Sequence, residues 1–161
     1  MSKPKSSNTT YQRTSKHSQE EVNKKKNNIV IYGLQEISAQ NDVLEVCHIN
    51  RAIGNYDFSK YNILRIGRLG EGNGVRPRPL KIELDHLTTK IDVLRNANKL
   101  QHTEQYNKIS IQHDLTKSQV AQLKQLKETA KEQERKDDEG KYRYRVRGRP
   151  GNWMITKLPK N

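Results

Sequence analysis

The chain has 161 residues, of which 31% are apolar and 30% are charged, and its formal net charge is +13 at pH 7. So few apolar residues support only a small hydrophobic core, and a net charge of this size mainly attracts nucleic acid or an anionic membrane surface. No apolar run reaches the roughly 18 residues of a membrane span, and residues 1–26 lack the apolar stretch of a signal peptide. We therefore expect a soluble intracellular protein with no membrane partner.

Residues 1–27 contain seven Lys or Arg against two Glu, and Ser, Thr and Asn make up most of the remainder. This composition is typical of a disordered basic tail. Two interpretations of the tail stay open. It is either a solvated leader with no specific role or a segment that attracts phosphates nonspecifically.

Hydrophobic periodicity predicts four strands and two helices after this tail. Apolar and β-branched runs predict strands at 28–33, 61–67, 80–84 and 109–111. Apolar residues at helical spacing indicate one helix that ends at Gly54 and another that follows a candidate N-cap. The residues concerned are Val43, Val46, Cys47, Ile49 and Ile53 in the first helix, and the cap Asp85 with Leu87, Ile91, Leu94 and Ala97 in the second.

The order of these elements, β-α-β-β-α-β, predicts an α+β fold of the ferredoxin-like type. In that fold two helices cover one face of a four-stranded sheet and leave the other face open. Together with the basic excess, the order indicates an RNA recognition motif at residues 28–113, whose sheet stacks bases on aromatic side chains. Residues 114–161 are predicted to add a helix and a β-hairpin as a C-terminal module.

The appended helix is predicted from the capping box Thr116–Gln119, which precedes a narrow apolar stripe. Residues 131–139 are wholly polar, so we expect the end of this helix to project into solvent or to fray before Gly140. The apolar stripe consists of Val120, Leu123, Leu126 and Ala130.

The predicted hairpin carries a strongly alternating pattern. Every odd residue from Lys141 to Arg149 is basic, so a strand places these cations on one face about 7 Å apart, close to the phosphate spacing of an extended single strand. A turn at 149–152 and a return strand at 153–158 complete the hairpin. The expected register pairs even with odd positions and gathers on one face Tyr142, Tyr144, Val146, Trp153 and Ile155.

Aromatic stacking residues are sparse on the predicted sheet. Aligned with RNA recognition motifs, the first strand has Val30 at the usual stacking position and Tyr32 two residues later on the same face, whereas the third strand has Pro79 and Lys81 where two aromatics are expected. Tyr32 is interpreted as a stacking platform, with packing against the appended module as the alternative. A stacked base contributes about 1–3 kcal/mol, so we expect electrostatic attraction to dominate.

The candidate nucleic-acid-binding residues are therefore one tyrosine and the surrounding cations. For the arginines of the second strand and the following loop, an ordinary solvated face is the alternative interpretation. The full set is Tyr32, Arg65, Arg68, Arg76, Arg78, Lys81, Arg95, Lys99, Arg143, Arg145 and Arg147.

Residues that carry catalysis or bind metals are not recognisable. The single cysteine, Cys47, excludes an internal disulfide and a zinc site built on cysteines, and its apolar neighbours indicate an inert thiol. The five histidines lack metal-ligand spacing, and the pair His113–Asp114 has no serine or cysteine partner that the sequence identifies. We expect no enzymatic activity, no catalytic residue, no metal and no cofactor.

Several segments occur in a characteristic order, namely Asn28–Leu34, Arg65–Arg68, Arg76–Leu84, Val93–Ala97, Ile109–Thr116 and the closing basic hairpin. In this order and spacing, residues 28 to about 158 resemble the RNA-binding protein encoded by the first open reading frame of LINE-type (non-LTR) retrotransposons.

The resemblance implies an RNA recognition motif and a smaller C-terminal domain that together clamp single-stranded nucleic acid. It further implies a protein that coats the RNA of its element and acts as a nucleic-acid chaperone during reverse transcription. Arg65, Arg68, Arg95 and the basic residues of the C-terminal module would contact phosphates or bases. Family members often begin with a trimeric coiled coil, and some carry zinc knuckles. This chain has neither feature, so its self-association is left open.

The function expected is nonenzymatic, largely sequence-independent binding of single-stranded RNA or DNA within a retrotransposon ribonucleoprotein. Such a particle is expected in the cytoplasm, with the nucleus as a further location. One rival is a protein-interaction module built on a degenerate RNA recognition motif, which predicts weak, salt-insensitive behaviour toward oligonucleotides. Another is an accessory piece of a nuclease or polymerase, which predicts metal-dependent turnover.

Overall fold

The computed structural model describes residues 18–137 and 140–160. The chain has an α+β fold and divides into two compact units, here called unit 1, which ends at Asp114, and unit 2, which begins at Leu115. This division falls one residue after the end of the predicted sheet domain. None of the helices in the described part of the chain is long and apolar enough to cross a membrane.

Residues 18–27 belong to unit 1 and do not have the disordered structure expected of them. They form a helix, α1, over 18–24 and a turn that leads into the sheet. Lys25 Nζ lies 3.0 Å from Asp114 Oδ1, and Lys90 Nζ donates to the Lys26 carbonyl at 2.9 Å. The composition of the segment conceals this because its contacts are polar and reach distant parts of the chain. The rest of the predicted tail, residues 1–17, lies outside the described residues.

Unit 1 contains a four-stranded sheet in which every pairing is antiparallel. The strand order is β2-β3-β1-β4, and the two central strands alternate between the two faces of the sheet. Each predicted strand is confirmed, with ends that shift by two residues at most. The strands are β1, Asn28–Tyr32, β2, Ile63–Arg68, β3, Leu80–Leu84, and β4, Ser110–His113.

Two helices cover one face of this sheet, α2 over Ala39–Ala52 and α3 over Leu87–Asn96. Ser38 caps α2 by accepting a hydrogen bond from the Asn41 backbone N–H at 3.1 Å. Short 3₁₀ turns precede β2 at Lys60–Asn62 and follow α3 at Ala97–His102. The core between the helices and the sheet includes Ile29, Ile31, Val46, Ile49, Ile53, Leu80, Ile82, Leu84, Val93 and Leu100.

The predicted apolar face of α3 is confirmed at Leu94 and Ala97, which are partly buried against the core, and needs correction at Leu87. Leu87 is 37% exposed, whereas Lys90 and Val93 are buried. The apolar pattern missed this orientation because a lysine occupies a buried position, where its ammonium reaches backbone carbonyls.

The predicted N-cap of α3 also needs correction. The N-cap residue is His86, and Asp85 accepts hydrogen bonds from the His86 backbone N–H and from Thr89 Oγ1.

Unit 2 consists of a helix, α4, and a two-stranded hairpin of β5 and β6. Thr116 forms the predicted capping box with Gln119 at the start of α4. Pro150 and Gly151 connect the strands, and Gly151 has a φ of +87°, as the third residue of a type II turn requires. The elements are α4, Lys117–Arg135, β5, Tyr142–Arg149, and β6, Asn152–Pro159.

The hairpin register is the predicted one. Val146 pairs with Ile155, and Tyr144 pairs with Lys157, so even positions of β5 face odd positions of β6. Gly148 tolerates the close approach of the return strand, since a Cβ at this position would lie 2.3 Å from the Asn152 carbonyl oxygen. The tyrosines and Val146 therefore share a face of the hairpin with Trp153 and Ile155, as the sequence indicated.

Lys90 gives unit 1 a pH dependence that can be measured. Burial lowers the pKa of Lys90 from 10.5 to about 8, although Asp114 acts in the opposite direction. Between pH 8 and pH 10.5 the unfolded chain binds the proton that the folded unit has released, so the free energy of unfolding rises with pH. We expect Lys90→Met to remove on the order of 2 kcal/mol of this rise, as measured by urea unfolding at several pH values. The control variant Lys81→Met, at an exposed position of β3, keeps the rise, and an equal loss in both variants would contradict the assignment.

Candidate nucleic-acid interface

The sheet of unit 1 has a second face, opposite the core that α2 and α3 cover, and it is here called the open face. Alternation places Val30 and Tyr32 of β1 on it, because Ile29 and Ile31 point into the core. The pairing register then assigns the neighbouring positions on the other strands. On the open face lie Asn28 and Val30, which are buried, and Tyr32, Arg65, Lys81, Glu83, Ser110 and Gln112, which are not.

Tyr32 and Lys81 lie on neighbouring central strands of the open face. Tyr32 is 42% exposed and pairs with Ser110, while Lys81 pairs with Val30, two residues before Tyr32. Lys81 is exposed and has no hydrogen-bond or ion-pair partner among the described residues. The face thus combines one accessible aromatic ring with a free cation.

Arg65 extends this cationic character to the edge strand β2. Its side chain is 86% exposed, and its Nε lies 3.7 Å from Oε2 of Glu83, which pairs with it across the strands. Exposed ion pairs of this length contribute little, about 0–1 kcal/mol. The guanidinium of Arg65 is therefore available to other anions.

Arg68, three residues further along β2, has a different environment from the one that the sequence suggested. Its side chain is 7% exposed, and it forms a bidentate ion pair with Asp42, whose side chain is 9% exposed. The remaining guanidinium N–H groups donate to the carbonyls of Leu34, Gln35 and Arg78 at 2.7–3.0 Å. All five donors of the guanidinium are satisfied, so Arg68 supports the fold and leaves no donor for a phosphate.

The loop between β2 and β3 carries two further candidate arginines, which differ in whether the guanidinium group already has a partner. Arg78 binds Glu36 through its Nε and Nη2 atoms at 2.9 and 2.8 Å, and its backbone N–H donates to the same carboxylate. The Arg78 guanidinium and backbone N–H hold the pKa of Glu36 below its usual range. Arg76 is exposed, and only its backbone N–H has a partner among the described residues, the side chain of Asn73. Of the two, Arg76 has the guanidinium that a ligand can bind.

Arg95 and Lys99 lie on the helical layer, on the opposite side of the sheet from Tyr32. Arg95 Nη1 lies 3.3 Å from Asp92 Oδ1, one turn earlier on α3. Lys99 Nζ donates at 3.2 Å to the carbonyl of Ile53, the C-cap residue of α2, where a cation is favourable because helix carbonyls point toward it. The structure thus does not bring these two residues together with the open face.

The basic residues of the hairpin in unit 2 line up as predicted. Arg143, Arg147 and Arg149 alternate with the tyrosine face, are exposed, and have no hydrogen-bond or ion-pair partner for their side chains in the described part of the chain. Arg145 stands in the same row but lies 3.2 Å from Glu134 Oε2 on α4. We call the four side chains the arginine row.

The polar end of α4 projects into solvent, which was one of the two predicted alternatives, except at Glu134, which is half-buried against the hairpin. Glu134 forms ion pairs with Arg145 and Lys160, and Asp137 Oδ2 accepts a hydrogen bond from the Tyr142 backbone N–H at 2.8 Å. Burial by itself would raise the pKa of Glu134, but the Tyr144 backbone N–H, Lys160 and Arg145 outweigh it and lower the pKa. The polar composition of the helix end did not reveal these contacts, because the hairpin residues that bind Glu134 and Asp137 follow later in the chain.

The tyrosine face of the hairpin is engaged by a lysine. Lys157 Nζ lies 3.8 Å from the centre of the Tyr142 ring and 6.0 Å from that of Tyr144, within the range of a cation–π interaction. Both rings are half-buried. The hairpin therefore presents charge on one face and occupied aromatic rings on the other.

Within residues 18–137 and 140–160, no cluster of three or more His, Cys, Asp or Glu side chains could hold a metal ion. Burial raises the pKa of the Cys47 thiol, with Arg51 acting in the opposite direction.

Comparisons with known proteins add no assignment to this geometry. No model of a protein family matches the chain, and no curated protein matches it.

Arg68 and Arg65 form a matched pair for testing the division between supporting and exposed arginines. Arg68→Ala leaves the buried Asp42 carboxylate unpaired, so we expect a loss of about 3–5 kcal/mol in the free energy of unfolding. Arg65→Ala, on the same strand, should change it by less than about 1 kcal/mol. Urea unfolding followed by circular dichroism measures both.

Arg68→Lys serves as a second variant where Arg68→Ala does not fold. It keeps the charge but loses the bidentate geometry, so we expect an intermediate loss of stability. Equal effects of the Arg68 and Arg65 variants would contradict the supporting role of Arg68.

Proposed function

We propose that the chain binds single-stranded RNA or DNA, largely without sequence preference and without catalysis. The observation that carries the proposal is the arginine row, in which three of four guanidinium groups are exposed and have no partner among the described residues. Their spacing of about 7 Å along the strand suits successive phosphates of an extended chain. The net charge of +13 supports attraction to a polyanion over a longer range.

We further propose that residues 28–113 form a ferredoxin-like RNA recognition motif. The element order β-α-β-β-α-β and the strand order β2-β3-β1-β4 support this assignment. The open face would then receive unpaired bases, with Tyr32 as the stacking platform and Lys81, Arg65 and Arg76 as the exposed cations of unit 1 that bind phosphates. Arg68, Arg78, Arg95 and Lys99 have no part in this version of the site.

The free energy of binding would come mainly from released counterions. Each phosphate neutralised on a single strand contributes about −0.7 to the slope of log K against log salt. Stacking on Tyr32 would add about 1–3 kcal/mol, a term that is insensitive to salt. Several exposed arginines against one ring make the electrostatic contribution the larger one.

The biological role that we propose follows from the sequence resemblance to LINE-type retrotransposon proteins. The chain would be a component of a cytoplasmic ribonucleoprotein, present also in the nucleus, and would act as a nucleic-acid chaperone. Binding by phosphate contacts and limited stacking suits such a role, because it lets strands exchange partners without a fixed sequence. Annealing of complementary oligonucleotides in the presence of the protein tests the chaperone activity.

The test of binding is a fluorescence-anisotropy titration of single-stranded RNA, single-stranded DNA and duplex at several salt concentrations. Binding of single strands that weakens steeply with salt supports the proposal. Duplex should bind more weakly, because a base must be unpaired to stack on Tyr32. A weak response that does not change with salt would contradict the proposal and favour a protein-interaction module.

The arginine row predicts a defined change in the salt dependence. Arg143→Ala combined with Arg147→Ala removes two phosphate contacts, so the slope should become shallower by up to about 1.4, or about 0.7 for each contact. The loss of affinity should be uniform across sequences. Anisotropy titration at four or more salt concentrations gives the slope.

A charge-matched control separates contacts from net charge. Arg51→Ala combined with Lys124→Ala removes two exposed cations elsewhere, one on α2 and one on α4. This variant should keep most of the wild-type slope. If the salt slope becomes shallower by the same amount in both double variants, the arginine row contributes only through the net charge of the protein.

Tyr32→Ala should reduce the affinity for single strands by about 1–3 kcal/mol while leaving the salt slope unchanged, because no charge is lost. Tyr32→Phe keeps the ring and should bind like the wild type. Anisotropy gives the affinity, and thermal unfolding gives the stability of each variant. A lower melting temperature with unaltered binding would mean that the ring packs within the protein and does not stack on a base.

A further inference from the structure

We propose that Gln112 and Ser110 read the edge of the base that stacks on Tyr32, and that they favour a purine with a donor and an acceptor side by side, such as adenine. This inference rests on the proposed function and names the base at one position of that same site. Neither residue was among the candidates from sequence, because a polar residue in a short strand gives no signal until the register is known.

The register brings the two polar side chains beside the tyrosine. Ser110 of β4 pairs directly with Tyr32 of β1, and Gln112 pairs with Val30, two residues before Tyr32. Directly opposed side chains on neighbouring strands have Cβ atoms about 5 Å apart, and diagonal neighbours about 7 Å. A base lying over the Tyr32 ring therefore has its edge within reach of β4.

A hydrogen bond between the two residues fixes the glutamine amide. Gln112 Nε2 donates to Ser110 Oγ at 2.9 Å, and both residues are exposed. One N–H of the amide and the lone pairs of Oε1 have no partner among the described residues. The amide thus presents one donor and one acceptor side by side, with less rotational freedom to lose on binding than an unrestrained glutamine.

Adenine complements this pair of groups. Its N6 amino group donates and its adjacent ring nitrogen accepts, and a glutamine amide matches that pattern with two hydrogen bonds. The N7 and O6 edge of guanine presents two acceptors, but its N1–H and O6, which are free in a single strand, present a donor beside an acceptor and also match the amide. Pyrimidines have a smaller ring face to stack on Tyr32. A purine is therefore the class of base for which stacking and edge contacts combine best.

The preference should be modest, because the amide is solvent-exposed and competes with water. We expect about a 5- to 10-fold difference, at the lower end of the range for a bidentate amide–adenine contact. A preference of this size at one position is consistent with binding that is otherwise independent of sequence, since the phosphate contacts act on every nucleotide.

The experiment compares short oligouridines that carry at one central position adenosine, uridine or purine riboside. Purine riboside keeps the stacking surface of adenosine but lacks the N6 amino group. Affinities come from fluorescence anisotropy with wild-type protein, Gln112→Ala and the matched control Gln101→Ala, at an exposed position outside the strands. Salt slopes are recorded for all variants.

Wild-type protein and Gln101→Ala should bind the adenosine oligomer about 5- to 10-fold more tightly than the purine riboside oligomer. In Gln112→Ala this ratio should fall to about 1, while affinity for oligouridine and the salt slope stay unchanged. A wild-type ratio near 1, or an undiminished ratio in Gln112→Ala, overturns the inference although the protein still binds RNA. Absence of binding to every oligomer would instead mean that the proposed function itself is wrong.

Discussion

The buried ion pair of Arg68 and Asp42 is the interaction on which the architecture of unit 1 most depends. It joins the end of β2 to the first turn of α2, and the same guanidinium binds the carbonyls of Leu34, Gln35 and Arg78. Removing these two charges from water costs several kcal/mol. The cost is offset only because every donor is satisfied, so the loops before α2 and β3 must keep their positions for Arg68 to be tolerated.

The cations of unit 1 fall into two groups, those that are bound within the protein, as Arg68 is, and those that are exposed. Lys90, Lys99 and Arg78 bind backbone carbonyls or carboxylates within unit 1, as Arg68 does. Arg65 and Lys81 are exposed on the open face. Net charge counts both groups equally, although only the second can release counterions when a phosphate binds. Fewer cations are therefore available to a phosphate than the composition suggests.

The sequence predicted best the features that depend on short-range patterns. The four strands and α2 follow from periodicity, and the hairpin register follows from alternation across the turn at Pro150 and Gly151. Long-range polar contacts were not predictable, because no local pattern marks the partner. The segment 18–27, the buried Lys90 and the supporting role of Arg68 all depend on such contacts. For the candidate site, cationic residues were recognisable by type, but their exposure required the structure.

In the proposed function, the two kinds of ligand contact, phosphate binding and base stacking, are separated between the units. Lys157 lies over Tyr142 and near Tyr144, so a base that stacked on either ring would have to displace a cation–π interaction worth about 0.5–1 kcal/mol at an exposed site. The hairpin is therefore better suited to phosphates than to bases. Tyr32 has no such cation among the described residues. In the proposed function, base identity would therefore affect binding mainly through unit 1, where Ser110 and Gln112 lie beside the ring, whereas the arginine row of unit 2 would contribute affinity to any sequence.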